Sequence, residues 1–335
     1  METFNFQWHI TNRCNLRCRH CYQENFQDSE GGEGYLLLVA HRLMEELEKR
    51  DLYTTINITG GEPLLVGEEL FSLLHYLNSH PRVEELMIIT NGLLLEKNLL
   101  FRLEECQKLT TLKISLEGAS SFTNDAIRGR GVFEKVVDKI KLAQEISFLD
   151  LVLMFTLSKR NVKELSSMLA LAQNLGVEGV IVERFIPQGR GREMKEAVLS
   201  REEWRSFLEE LVNVCELECT PYELLPYKAF WIKGGKEGEV LGALCNLREA
   251  LCLMPEGTIF PCRRFPYPLG NILKDGLGKA IDSPFLETLK DRKYLKGRCS
   301  YCQVEGCYGC RALAYALFDD PYYEDEQCFW KETMS

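Results

Sequence analysis

Between residues 4 and 185, short runs rich in β-branched and aromatic residues alternate with longer stretches whose apolar residues recur three and four positions apart. The runs are FNFQWHI (4–10), TTINITG (54–60), EELMIIT (84–90), LTTLKISLE (109–117), LDLVLMFTL (149–157) and VEGVIVERF (177–185), all of strand length. Between them lie stretches such as LLLVAHRLMEELEKR (36–50), GVFEKVVDKIKLAQEI (131–146) and NVKELSSMLALAQNLG (161–176), the last closed by a helix-stopping glycine. Strands alternating with helices predict parallel pairing through right-handed crossovers, hence an α/β fold. Six units are too few for an eightfold barrel and too many for a minimal nucleotide-binding half, which leaves a partial barrel or an open doubly wound sheet. Both architectures put their functional loops at the carboxyl ends of the strands. The distinctive motifs of this half fall there: ITNRCNLRCRHCYQ (10–23) after the first run, GGEP (60–63) after the second, NG (91–92) after the third and EGASS (117–121) after the fourth. That clustering predicts one site.

The pattern then changes. IPQGRGREMKEAVLS (186–200) is a Gly- and charge-rich connector, followed by a predicted helix over 201–216. From residue 245 onward the chain carries eight of its fourteen cysteines among frequent prolines and glycines, as suits a small domain stapled by metal. Within it, LCLMPEGTIFPC reads as a hairpin around a Pro-Glu-Gly turn. The expected organisation is a core over 1–190, a linker and helical bridging region over 191–244, and a cysteine-rich domain over 245–335.

Composition narrows the function. With 335 residues and 45% hydrophobic content a sizeable core can form. A formal net charge of −10 offers no basic field for a phosphate backbone, so no nucleic-acid partner is expected, and a basic substrate segment meets less repulsion. The opening METFNFQWHI has no charged-then-apolar signal pattern, and no run approaches the ~18 apolar residues that cross a bilayer. The expectation is a cytoplasmic protein without membrane partners. In that reducing setting clustered thiols bind metal or do chemistry more often than they form disulfides.

Cys14, Cys18 and Cys21 are separated by three and two residues, so one short loop can wrap them around a single cluster. A cubane [4Fe–4S] cluster held by three cysteines keeps one iron open. The other readings of the spacing are a zinc loop that borrows a distant fourth ligand such as His20, or three unrelated thiols.

The stretch CNLRCRHCY resembles the signature of the radical S-adenosylmethionine (SAM) superfamily, in which three cysteines so spaced hold the cluster and the open iron chelates SAM. The resemblance extends over residues 4 to about 190 and includes TGGEP at 59–63, about 40 residues past the cysteines. It implies a partial (β/α)6 barrel of the TIM-like kind, and one electron from the cluster cleaving SAM to methionine and a 5′-deoxyadenosyl radical. It further implies that Gly60, Gly61, Glu62 and Pro63 receive the SAM amino group. Glycines allow close backbone approach, a carboxylate accepts from an ammonium and proline stiffens the turn. Ser115 matches a SAM-touching position and Arg128 one that pairs the SAM carboxylate, while Glu117 stands where the family more often has aspartate. Asn91 reads as a SAM contact or as a turn former.

The tail block CSYCQVEGCYGC, with Cys245, Cys262, Cys328 and LGNI (269–272), resembles the SPASM domain that follows radical SAM cores and holds one or two auxiliary [4Fe–4S] clusters. Its gaps are compressed relative to the family pattern. The resemblance assigns Cys299, Cys302, Cys307 and Cys328 to an outer cluster and Cys245, Cys262 and Cys310 to an inner one, with Cys252 a candidate fourth ligand. A zinc module built from the same thiols is the alternative. Cys106, Cys215 and Cys219 read as buried or free thiols.

Relatives with both domains mostly modify peptides and proteins. Sulfatase-maturing ones place an aspartate base after the cysteine matching Cys262; here Arg263 stands there, which disfavours that reaction and suggests a guanidinium pairing a substrate carboxylate. Only 13 residues precede Cys14, so leader recognition is expected from a separate leader-peptide-binding protein or from the C-terminal region. The leading expectation is an anaerobic maturase that abstracts hydrogen from a peptide or protein, fed by a donor such as reduced flavodoxin or ferredoxin. The enzymatic alternative is maturation of a tetrapyrrole or metal cofactor. An iron–sulfur electron carrier or zinc-stapled binding protein would account for the cysteines but leaves GGEP unexplained.

Overall fold

The computed structural model describes residues 2–27, 34–234, 239–245, 247 and 249–330. Six parallel strands, β1 (Glu2–His9), β2 (Leu52–Thr59), β3 (Val83–Thr90), β4 (Leu109–Ser115), β5 (Asp150–Leu157) and β6 (Gly179–Arg184), are neighbours in strict chain order. A doubly wound sheet reverses its order at a switch point. This one does not, so the crossover helices gather on one face and the sheet curls away from them into a partial barrel.

Alternation along each strand produces the two faces. Phe4, Phe6 and Trp8 of β1, Ile56 and Ile58 of β2, and Leu112 and Ile114 of β4 are buried in the main core. Helix α1 (Tyr35–Lys49) adds Leu36, Val39, Ala40, Leu43 and Leu47, the three-and-four spacing read from the sequence. Each such large side chain contributes about 1.5–3 kcal/mol on burial. The other strand face carries Gln7, Asn57, Lys113, Ser115, Thr156 and Glu183, and these line a cavity.

The sheet continues past the six-strand core on both sides. Helix α2 (Arg201–Val214) starts at a capping box, where Ser200 and Glu203 each bond the other's backbone N–H. After it, β7 (Tyr227–Lys233) and β8 (Val240–Leu244) add antiparallel strands beyond β6. The 191–244 region, expected to be linker and helix, therefore also extends the sheet. On the far edge β9 (Ala250–Leu253) runs parallel to β1, and β10 (Thr258–Phe260) returns beside it. This is the predicted LCLMPEGTIFPC hairpin, turning at Gly257 with φ +82°. The change of composition at 245 thus does not coincide with a break in the sheet. Among the described residues no helix is long and apolar enough to cross a membrane.

Candidate active site

The loop after β1 is held on three sides. Gly61 N–H donates to the Thr11 carbonyl and Glu62 N–H to the Arg13 carbonyl, each at 2.8 Å, Arg19 N–H donates to the Ile127 carbonyl at 2.9 Å, and Gly191 N–H to the Cys21 carbonyl at 2.8 Å. All three cysteines of the loop face one cavity of about 460 Å³, lined by residues from every strand from β1 to β8. Leu16 N–H and Gln23 N–H approach the Cys14 and Cys21 sulfurs at 3.4 Å. Burial nevertheless pushes the Cys21 thiol up to about 11. The protein alone does not ionise this thiol; a bound iron would, because thiolate is the form that ligates.

The glycines of GGEP serve the chain itself. A Cβ on Gly61 would lie 2.3 Å from the Arg13 carbonyl oxygen, so the close approach that requires glycine is that of the cysteine loop. Gly189, in the connector, has φ +58° and packs the same way on Tyr22, where a Cβ would sit 2.3 Å from the carbonyl oxygen. Gly61→Ala is expected to cost at least about 2 kcal/mol and to weaken SAM binding, because backbone must move on both sides; thermal unfolding and SAM titration of the variant check this.

Glu62 is tied to the chain as well. It is fully buried, its oxygens accept from Thr90 Oγ1 at 2.7 Å, Asn91 N–H at 2.7 Å and Leu64 N–H at 3.1 Å, and it is not among the cavity-lining residues. Burial pushes its pKa up. The carboxylate clamps the ends of β2 and β3 together, with Pro63 starting a 3-10 turn beneath it, while Gly60 and Gly61 present backbone to the cavity. Asn91 Nδ2 donates to Asn15 Oδ1 at 2.7 Å, tying the cysteine loop to β3, and Ser115 Oγ donates to the Thr90 carbonyl at 3.3 Å.

Glu117 is the electrostatic hub. It accepts from Arg128 Nη1 at 3.0 Å and Thr156 N–H at 2.8 Å, and pairs with His20 Nε2 at 3.2 Å. Burial works to raise its pKa, but His20 and Arg128 prevail and hold it below the ordinary range. Arg128 lines the cavity, and its buried Nε has no partner among the described residues. An arginine with one edge clamped and a donor left over suits a ligand carboxylate.

Arg263 lies elsewhere. It is buried, stacks 4.7 Å over the Tyr22 ring and does not line the cavity; its neighbour Arg264 does, paired with Glu183. The two arginines are the central residues of a turn closed by Phe265 N–H donating to the Cys262 carbonyl at 2.9 Å, and the turn sends their side chains to different surroundings. The expected carboxylate-pairing position thus holds a stacking arginine, packed near His9 and Cys21.

In the tail, Cys299, Cys302, Cys307 and Cys328 line one small cavity with Asp325 and Arg184. Arg311 Nη2 donates to Cys299 Sγ at 3.4 Å and Lys228 Nζ to Cys307 Sγ at 3.7 Å, donors that suit thiolate ligands. Cys245, Cys262 and Cys310 form a second group within electrostatic reach of one another. Cys252 neighbours Cys262, with its sulfur 3.8 Å from Met254 Sδ. Burial pushes Cys245 and Cys328 up to about 12, again leaving ionisation to a metal. Among the described residues no three His, Cys, Asp or Glu side chains converge as a single bare ion requires. Cubane ligands stand farther apart, because cluster atoms lie between them. Cys106 is buried, with its thiol 3.6 Å from Asn78 Oδ1.

The model of the radical SAM superfamily matches residues 8–172, and that of an iron-sulfur cluster-binding domain, SPASM, matches residues 245–307. The chain belongs to the radical SAM superfamily. This radical SAM enzyme uses a [4Fe–4S] cluster and SAM, and its SPASM domain is of the kind that binds iron–sulfur clusters. It is 28% identical to the AdoMet-dependent heme synthase of Methanosarcina barkeri, over 97% of this chain and 95% of the relative. It is 26% identical to the antilisterial bacteriocin subtilosin biosynthesis protein AlbA of Bacillus subtilis, over 97% of this chain and 70% of that one. Streptococcus suis SuiB bound to its precursor peptide SuiA shares the fold, with TM-score 0.72 at 15% identity, covering 98% of this chain and 76% of that one. Several lining residues of this radical SAM cavity escaped the sequence reading, among them Lys113, Glu183, Trp231 and Arg264. The available signal was a charged residue at an inward position of an otherwise apolar strand, as in LTTLKIS.

Proposed function

We propose that this radical SAM enzyme is a maturase that takes a hydrogen atom from a peptide or protein held in the β1–β8 cavity. The observation that carries the reading is the sheet edge at this cavity: β8 is the terminal strand, Leu241, Gly242 and Ala243 line the cavity, and residues 241–244 are exposed. An open strand edge offers N–H and C=O groups to an extended peptide, which added there would lie along the cavity. Two compared proteins support a peptide, one named for bacteriocin biosynthesis and one solved with a precursor peptide.

In this reading Cys14, Cys18 and Cys21 hold the SAM-binding cluster. The free edge of Arg128 takes the SAM carboxylate, and Gly60, Gly61, Asn91 and Ser115 bound the SAM pocket. When bound, cluster and SAM supply reductive cleavage of SAM to a 5′-deoxyadenosyl radical, with the electron coming from a reduced flavodoxin or ferredoxin. The chain's part is to orient substrate and keep water out, for which Leu16, Phe26, Phe185 and Ile186 line the same cavity. Cys299, Cys302, Cys307 and Cys328 hold an outer auxiliary cluster; Cys245, Cys262 and Cys310, with Cys252 a candidate fourth ligand, hold an inner one.

A second reading, tetrapyrrole maturation, is favoured by the end-to-end likeness to the heme synthase. Deuterium tracing decides between them. Anaerobic enzyme with dithionite and SAM is expected to move deuterium into 5′-deoxyadenosine from a labelled short peptide encoded beside the gene. Transfer from a porphyrin labelled in its propionates, and none from peptide, would replace the peptide reading.

A further inference from the structure

Two polar groups that line the cavity are used neither by the cysteine loop nor by the Arg128 edge. Lys113 stands two residues before Ser115 on β4, on the same face and one layer farther from the strand end. Its ammonium carries three donors, and one is used, at 2.6 Å to Asn57 Oδ1 on β2. No carboxylate among the described residues lies within ion-pair distance of it. Of the two acids whose field reaches Lys113, Glu183 is engaged by Arg264 and Glu85 accepts from Thr110 Oγ1 at 2.5 Å. Trp231 on β7 lines the same cavity, and its buried Nε1 has no acceptor among the described residues.

Among the described residues the cavity wall therefore holds a cation without a counter-ion and a buried donor without an acceptor, in a chain whose net charge is −10. Burying such groups is costly until acceptors arrive, and both deficits have the same remedy: anionic oxygen. Desolvation lowers the Lys113 pKa, only partly offset by Glu183 and Glu85, and an arriving anion would favour its charged form. The remaining cations of the cavity differ, since Arg128 and Arg264 each already hold a carboxylate.

We infer that Lys113 and Trp231 form a subsite for a carboxylate of the substrate, with Lys113 Nζ supplying the charge and Trp231 Nε1 a second donor. The inference rests on the reading of this cavity as the place where substrate meets SAM. It names the chemistry shared by an acidic residue of a peptide and a propionate of a tetrapyrrole, and it separates this position from the SAM carboxylate site at Arg128.

The test is anaerobic calorimetric titration of the reconstituted, SAM-loaded enzyme with two matched pairs of probes. One pair is an end-blocked hexapeptide with a central Glu and its Gln counterpart. The other is a porphyrin with free propionates and its dimethyl ester. The acid of one pair is expected to bind at least about tenfold tighter than its neutral partner, with Lys113→Met abolishing the preference and Lys113→Arg retaining part of it. Trp231→Phe, which removes the N–H and keeps the ring, should reduce it by about fivefold and covers the case in which the lysine variant does not fold. The pair that discriminates identifies the source of the carboxylate. Equal binding of acid and neutral forms overturns the inference, as does absence of binding by either acid up to about 1 mM. A preference that survives Lys113→Met does so too, and a tenfold loss of SAM affinity in that variant would assign the lysine to SAM instead. If wild-type enzyme forms no 5′-deoxyadenosine, the catalytic reading fails while the carboxylate preference still stands or falls by titration.

Discussion

Replacing Cys14, Cys18 and Cys21 together by alanine is expected to reduce 5′-deoxyadenosine formation under dithionite to background, a loss of at least about a thousandfold. The three thiols sit on one loop and face one cavity, and among the described residues no other cysteine lines it. Without them nothing in the cavity can hold an iron–sulfur cluster, and the chemistry that the bound cofactors supply is lost with it. The alanines leave the backbone bonds of the loop to Gly61, Glu62 and Gly191 intact. The variant should therefore fold, and its iron content should fall by about four per chain. Chromatography of the nucleoside product and iron analysis read both effects. Wild-type SAM cleavage in the variant would overturn the assignment of these cysteines.

A second large effect is expected at Asp325, which lines the small cavity of the tail cysteines. Its carboxylate accepts from Arg184 Nη2 at 3.1 Å, Arg184 Nη1 at 3.3 Å, Cys310 N–H at 2.8 Å and Gln327 N–H at 3.2 Å. Arg184 and Asp325 are both almost wholly buried. Asp325→Ala leaves a buried guanidinium with Gln327 Oε1, at 2.9 Å, as its remaining side-chain acceptor. Removing one partner of such a pair costs about 3–5 kcal/mol. The pair also joins β6 of the barrel to the segment beside the tail cysteines, so the variant should lose iron from the tail.

The acid dependence of this pair has a definite sign. Burial acts to raise the Asp325 pKa, but Arg184 and Lys228 outweigh it and hold the carboxyl far below the ordinary carboxylate range. A depressed folded pKa gives stability that is fully present above the unfolded value of about 4 and is lost as pH falls towards the folded one. The stability difference between wild type and Asp325→Asn should therefore be flat from about pH 7 to 5 and shrink below about pH 4. Denaturant unfolding at a series of pH values measures it; a difference that grows on acidification would contradict the pairing.

What the chain's own pattern settled is local. The six core strands lie within a few residues of the runs read from alternation, because a period of two survives whatever the strand packs against. The cysteine loop was legible because its three cysteines are so close in sequence that one short loop brings them together, and the tail hairpin because its turn residues act on their immediate neighbours. Tertiary structure decided the rest. Which face of a strand looks into the cavity depends on curvature, so Lys113 and Trp231 were visible as residues but not as lining. Whether Arg263 or Arg264 reaches the cavity is decided by how the turn between Cys262 and Phe265 is seated. Glu62 and Glu117 are both acids beside strand ends, yet one clamps backbone and the other pairs Arg128 and His20, because their partners come from segments tens of residues away. The joining of β9 to β1 and of β7 to β6 is of the same kind. Pairing between distant segments is chosen by complementary packing and by the closure of loops, and neither leaves a mark on any short window of sequence.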